Sequence, residues 1–198
     1  HDAGCAVDLY PDGEVAPSPV AGEVVLTKTV QAPPKPYAAE EDHLIVVDTG
    51  DYLARILHVD PAVEPGDGVA VGDPLGDLVR AGFFAPWVPN HVHLGFREPD
   101  ADPVRASGSL PIDVDVAVEG LRWDGSGTVV ETGDTWARLD SPAHPAPGER
   151  FVGLASDGGV LDGGFPHYDG GGLLFGGSTA ELAGEPIGTV SGRDVAWR

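Results

Sequence analysis

Four histidines and one aspartate in the first half of the chain have the residue types and spacing that a metal site requires. His1 and Asp8 lie in the short segment HDAGCAVDLYP, and His58 ends the apolar segment ARILH. His91 and His93 form an H-x-H pair in NHVHLGFR, where alternation predicts a strand with both imidazoles on one face. Imidazole and carboxylate groups are the usual ligands of catalytic zinc, which keeps one position open for water. The residue types therefore predict a zinc site.

Five segments of this half also occur in a recognisable order. They are HDAGCAVDLYP, SPVAGEVV, ARILHVD, VEPGDGVAVGDPLG and NHVHLGFR. Their order and spacing, over about residues 1 to 98, resemble those of the lysostaphin-type (LytM-type) zinc metallopeptidases. We therefore expect an enzyme, a zinc metalloendopeptidase.

The resemblance assigns a role to each of the five side chains. It implies that His1, Asp8 and His93 bind one zinc ion, and that His58 and His91 flank the open coordination position. Zinc would lower the pKa of its water and polarise the scissile carbonyl. By the same analogy, His91 is expected to act as general base and His58 to stabilise the oxyanion. The implied substrate is an extended, typically glycine-containing peptide in a cell-envelope polymer. The implied location is extracytoplasmic, although the chain shows no signal-peptide pattern.

The elements that must position these residues are predicted to be short strands. The chain has 29 Gly and 19 Pro among 198 residues, which is too many for a helical bundle. Val-rich segments separated by turn residues predict an all-β fold. HLIVVDTGDYLARILHVD predicts a β-hairpin that turns at Thr49-Gly50-Asp51, and HYDGGGLLFGG predicts a glycine-rich loop.

A domain boundary is expected near the turn-rich segment EPDADPVRASGSLP. The resemblance implies a duplicated hybrid motif (barrel-sandwich hybrid) for residues 1–111. Residues 112–198 show further strand patterns, which predict a β-rich accessory domain.

The charge balance restricts the classes of partner. Eleven Lys+Arg against 32 Asp+Glu give a net charge of −21. Nucleic acid is excluded as a partner because no basic patch is present, and no apolar segment is long enough to span a bilayer. The acidic, lysine-poor composition resembles that of halophilic proteins, in which salt screens self-repulsion; an ordinary acidic soluble protein is the alternative. The single cysteine, Cys5, excludes a disulfide framework and a four-thiolate zinc site.

Two other functions remain open at this stage. A catalytically silent metal-binding scaffold or binding module would keep the same fold. A lipoyl- or biotinyl-carrier uses similar glycine-valine strands, but it needs a lysine at a tight hairpin, whereas Lys28 lies in a predicted strand and Lys35 in a proline-rich loop.

Several of these side chains also have structural interpretations. Asp8 could belong to the acidic surface, although its position between Val7 and Leu9 favours an inward-facing carboxylate. The aromatic residues of the segment before the H-x-H pair either line a substrate groove or fill a hydrophobic plug. These are Phe83, Phe84 and Trp87.

Overall fold

The computed structural model describes residues 5–113, 115–133, 137–162 and 170–198. The described residues form strands and turns with no helix among them, so the all-β fold class is confirmed. Within these ranges, accordingly, no helix has the length and hydropathy needed to cross a membrane. The chain divides into two compact units, a first unit spanning Cys5–Ile112 and a second unit containing Asp113–Arg198.

The first unit contains two antiparallel sheets. The larger has the order β1-β9-β5-β4-β3-β7, and the smaller has the order β2-β8-β6. The strands are β1 (Val7–Leu9), β2 (Val15–Pro17), β3 (Gly22–Gln31), β4 (Glu41–Asp48), β5 (Leu53–Leu57), β6 (Val59–Pro61), β7 (Gly68–Val69), β8 (Pro74–Leu78) and β9 (Val92–Arg97).

One apolar core joins these two sheets, because both contribute buried side chains to it. On β4, Ile45 and Val47 point into this core, while Leu44 and Val46 belong to a smaller cluster on the other face. Burial of both faces explains the continuous apolar sequence of this strand. The core residues are Ala16, Val24, Ile45, Val47, Ala54, Ile56, Val59, Val69, Leu75, Val92 and Leu94.

The hairpin predicted for the segment from His43 to Asp60 is confirmed in its main part. β4 and β5 pair antiparallel, with Asp48 opposite Leu53. Gly50 has a φ of 91° in the connecting turn, and its backbone N–H donates to Asp48 Oδ1. A glycine adopts this left-handed conformation without steric cost.

The second unit is built around a seven-stranded sheet of order β10-β13-β14-β15-β18-β17-β16, with a separate β11–β12 pair. Its buried residues Leu173, Ala180 and Val195 form the centre of a core. The strands are β10 (Val118–Leu121), β11 (Val129–Thr132), β12 (Ala137–Leu139), β13 (Phe151–Ser156), β14 (Gly159–Asp162), β15 (Gly170–Leu174), β16 (Thr179–Leu182), β17 (Glu185–Ser191) and β18 (Asp194–Trp197).

The prediction that HYDGGGLLFGG forms a loop is wrong for much of the part that the structure describes. Residues Gly170–Leu174 form β15, which pairs with β14 and β18. The physical reason is the packing of Trp197: a Cβ on Gly171 would overlap the indole ring. Glycine is therefore needed here for a close approach within a sheet rather than for a turn. His167 and the two residues after it lie outside the described residues.

Candidate metal centre

The register of β1, β9 and β5 brings Asp8 and His93 to one face of the larger sheet. Asp8 is paired with His93 across β1 and β9, and His93 is paired with Leu57 across β9 and β5. Directly opposed residues of antiparallel strands point to the same face. His93 Nδ1 lies 2.7 Å from Asp8 Oδ1. Because a carboxylate only accepts hydrogen bonds, the imidazole Nδ1–H is the donor.

His91 lies two residues before His93 and reaches the same site. Its ring is almost fully buried, and its Nδ1 lies 2.9 Å from the carbonyl oxygen of Pro89. A carbonyl oxygen accepts, so Nδ1 carries the hydrogen and Nε2 carries the lone pair. That Nε2 lies 3.7 Å from Asp8 Oδ1.

His58 enters the site from the end of β5. Alternation along a strand would place the residue after Leu57 on the opposite face. However, β5 ends at Leu57, and His58 has a φ of 68°. This left-handed conformation costs a non-glycine residue about 1–3 kcal/mol, which the surrounding contacts must offset. It brings the His58 ring to centroid distances of 5.0 Å from His91 and 5.8 Å from His93.

These three side chains, His58, His91 and His93, form what we call the histidine cluster. One ring nitrogen of each lies within 4.8 Å of those of the other two. Asp8 adds a carboxylate at its edge, through its contacts with two of the rings. The arrangement is compatible with metal binding, since nitrogen and oxygen ligands suit a transition metal such as zinc. The structure thus brings together four of the five predicted site residues, and His1 lies outside the described residues.

Asp42 is a residue of this site that the sequence interpretation missed. It is completely buried on β4, and its Oδ2 lies 2.7 Å from His58 Nδ1. Its Oδ1 accepts the backbone N–H of His43 at 2.8 Å. The sequence did indicate its burial, because alternate residues of a strand share a face and Asp42 alternates with the apolar residues Leu44 and Val46. A carboxylate in such a position needs a buried partner.

Aromatic side chains border the histidine cluster on two sides. The ring of Phe84 is buried, with its centroid 4.6 Å from that of His91 and 5.1 Å from that of His58. Phe83 is 52% exposed, and its ring centroid lies 6.4 Å from that of His58. Tyr10, which is 55% exposed, lies 5.3 Å from His91. Phe84 thus packs like a plug, whereas Phe83 and Tyr10 present apolar surface beside the cluster.

Arg80 holds the loop that carries these phenylalanines. Its guanidinium lies over the rings of Tyr37 and Phe84, at 5.6 and 5.0 Å from their centroids. Cation–π contacts of this kind add to the hydrogen bonds that stabilise the loop. The guanidinium donates to the backbone carbonyls of Ala85, Pro86 and Val88.

The electrostatics of the site favour cation binding. Burial by itself raises the pKa of the Asp8 carboxyl, but the His93 hydrogen bond and the charges of His91, His93 and His58 together lower it below 3.8. Burial lowers the pKa of His91 below 6.5, against the opposing effects of the Pro89 carbonyl and Asp8. Asp8 is therefore anionic and His91 neutral at neutral pH, which are the forms that bind metals.

The other described histidines lie in different surroundings. His43 contacts Thr29 Oγ1 at 3.3 Å and Asp60 Oδ1 at 3.6 Å. His144 accepts a hydrogen bond from the backbone N–H of Ala146. Both lie outside the cluster, so their substitution provides a control for the substitution of a cluster histidine.

The fold and the site thus define an all-β protein whose first unit carries a histidine cluster compatible with a metal ion. The chain belongs to the family described as domain of unknown function DUF8155: residues 1–114 match its N-terminal domain and residues 119–198 its C-terminal domain. Among solved structures, the chain is similar to a point mutant of the catalytic domain of the prophage-encoded M23 protein EnpA from Enterococcus faecalis. The identity is 18%, the TM-score is 0.35, and the match covers 55% of this chain and 74% of that one. No curated protein shows significant similarity.

The lowered pKa of His91 predicts a stability loss on acidification of the metal-free protein. As the pH falls through about 6.5, the unfolded chain binds a proton at His91 that the folded chain does not, so the free energy of unfolding decreases. We expect a smaller loss between about pH 7 and pH 5 in His91→Asn than in the wild type. Asp8, whose pKa is lowered from 3.8, contributes stability that is lost only at more acidic pH.

Urea titrations at each pH, followed through backbone NMR signals of β9, measure this difference. His144→Asn is the matched control and should keep the wild-type pH profile. A His91→Asn profile parallel to that of the wild type would contradict the burial effect.

Proposed function

We propose that the first unit is a zinc-dependent amide hydrolase that cleaves an extended peptide within a cell-envelope polymer. The observation that carries this proposal is the convergence of Asp8, His58, His91 and His93 from separate strands and loops on one site. The resemblance of the five segments to lysostaphin-type endopeptidases supports it and adds His1 as a further zinc ligand.

The residues present fit zinc by the chemistry of their donor atoms. Asp8 Oδ1 and His93 Nδ1, which share one hydrogen at 2.7 Å, are the atoms proposed to bind the ion once the ring hydrogen of His93 has moved from Nδ1 to Nε2. His58 and His91, which flank the proposed ion without binding it, have their Nδ1–H groups bonded to a carboxylate and a carbonyl, and these bonds hold both rings in place. The side chains therefore need little rearrangement to receive a cation.

The proposed mechanism gives each side chain of this chain a task. When bound, zinc supplies Lewis acidity and an acidified water molecule. His91 is buried and neutral, and its Nε2 lone pair faces the Asp8 side of the site, where it accepts a proton from water. The resemblance implies that His58 lies on the other flank of the open coordination position, toward which a substrate carbonyl would point. Phe84, packed on both rings, excludes solvent from that side.

The surroundings of the cluster suit an extended, uncharged chain. Tyr10 and Phe83 present exposed rings near His91 and His58 respectively, which provides apolar surface for a polymer that runs across the site. The net charge of −21 disfavours a strongly anionic substrate. A glycine-containing peptide meets both conditions.

A metal-binding scaffold without turnover is the second candidate, and one observation favours it. His58 belongs to the set of three imidazoles within 4.8 Å. If His58 itself binds the metal beside His91, His93 and Asp8, four protein ligands close the site. Closed sites of this kind are structural, whereas catalytic zinc keeps an open position.

The first prediction from this proposal concerns zinc retention. We expect the wild-type protein to keep about one zinc per chain after dialysis, and we expect His93→Ala to lose it, because that change removes a ligand and leaves Asp8 without its partner. Metal analysis of the folded proteins measures the ratio, with His43→Ala as a control that retains zinc. Folded wild-type protein that binds no zinc when the ion is supplied, or full zinc retention in His93→Ala, would rule out the proposed site.

The second prediction concerns turnover. Zinc-loaded protein, incubated in molar salt with glycine-containing peptides and cell-envelope preparations, is expected to release new amino termini. His91→Ala should lower the rate by roughly 100-fold or more, because it removes the proton acceptor, while His43→Ala should cleave normally. If zinc-loaded wild type cleaves none of these substrates, the scaffold is the better account.

A further inference from the structure

Asp42 has no task in the mechanism above, yet both of its carboxylate oxygens are committed inside the protein. The side chain is 0% exposed. Oδ1 accepts the backbone N–H of His43 at 2.8 Å, and Oδ2 faces His58 Nδ1 at 2.7 Å. A carboxylate at this depth is costly to desolvate and is retained where its hydrogen bonds are complete.

The contact with Asp42 determines which nitrogen of His58 carries the hydrogen. A carboxylate accepts but does not donate, so His58 Nδ1 must be protonated. In the neutral ring the lone pair then belongs to Nε2, on the opposite side of the imidazole from Asp42. The rings of Phe84 and His91 pack against His58, with centroids 5.1 and 5.0 Å from the His58 centroid, and these contacts fix the orientation of its ring.

We infer that Asp42 is a positioning residue that locks His58 in the Nδ1–H tautomer and makes its Nε2 a proton acceptor within the histidine cluster. The catalytic meaning of this lock rests on the proposed function, but the lock itself does not. The Nδ1–H tautomer also gives His58 a different role from the oxyanion stabilisation that the resemblance implies. An oxyanion needs a hydrogen-bond donor, and neutral His58 held in this way has no hydrogen on Nε2 to donate. His58 Nε2 is accordingly placed, like His91 Nε2, to accept a proton from the attacking water and to return it to the departing amine nitrogen, instead of stabilising the oxyanion.

Substitution of Asp42 by asparagine should reverse the tautomer. The asparagine amide has one acceptor oxygen and one donor NH₂ group. The backbone N–H of His43 requires the oxygen, so the NH₂ group turns toward His58. His58 Nδ1 must then accept, which moves the ring hydrogen to Nε2. Asp42→Ala offers neither group and leaves the two tautomers mixed.

Long-range ¹H–¹⁵N NMR of the ¹⁵N-labelled, zinc-free full chain in alkaline buffer distinguishes the two nitrogens directly. The His58 signals are identified by their absence in His58→Asn. We expect wild-type His58 to have a protonated Nδ1 and a bare Nε2, favoured by roughly tenfold or more over the other tautomer, as a charge-assisted hydrogen bond allows. We expect the assignment to be exchanged in Asp42→Asn.

The wild-type spectrum decides the inference even if the variants fold poorly. A hydrogen on Nε2 of wild-type His58 would overturn it, as would an unchanged tautomer in folded Asp42→Asn. Asp60→Asn is the matched control, because this carboxylate lies near His43 and outside the cluster; a change of the His58 tautomer there would also contradict a specific role for Asp42.

The same variants separate this inference from the proposed function. The tautomer is measured without zinc or substrate, so it can be correct while cleavage fails. If cleavage is found, Asp42→Asn should lower kcat by roughly 10- to 100-fold, as substitutions behind a catalytic imidazole do, with little change in KM or zinc content. Loss of zinc content in step with kcat would instead assign Asp42 a merely structural role.

Discussion

The pairing of β1 with β9 is the interaction on which the whole site depends. It places Asp8 directly opposite His93, and a 2.7 Å hydrogen bond joins the two side chains. A shift of one residue in this register would turn Asp8 to the other face of the sheet and separate the carboxylate from the imidazole. β1 has only three residues, and it lies at the edge of the larger sheet. A short edge strand thus carries one of the donor atoms proposed for zinc, and a cation shared with β9 would fasten it to the sheet.

The second constraint lies at His58, where the chain passes from the larger sheet to the smaller one. The residue has a φ of 68° between β5 and β6, and its carbonyl oxygen accepts the N–H of Val79. Strained backbone of this type persists where surrounding contacts determine it, and it is common at functional sites. Here the hydrogen bond to buried Asp42 and the packing of Phe84 supply those contacts. Strain, burial and hydrogen bonding therefore all serve to present one imidazole nitrogen to the cluster.

Much of this organisation follows from local patterns in the sequence, and the rest depends on distant pairing. The turn residues around Gly50 predicted the hairpin, and alternation predicted that His91 and His93 point to the same side, because both signals depend on residues close in the chain. Asp42 escaped notice because its partner His58 lies on another element, and nothing local specifies that contact. The strand from Gly170 was mistaken for a loop, since a glycine run does not reveal that an indole ring packs over Gly171. Roles for the five candidate side chains came from resemblance, and they remain proposals.

The proposed zinc ion lies between Asp8 and His93. A crystal structure of the zinc-loaded chain, with anomalous diffraction data collected on both sides of the zinc absorption edge, tests it most directly. We expect one strong anomalous peak about 2.0–2.2 Å from an Asp8 oxygen and a His93 nitrogen, with His58 and His91 beside it and not bound to it. A peak elsewhere, or no peak at these two side chains in fully zinc-loaded protein, would contradict it.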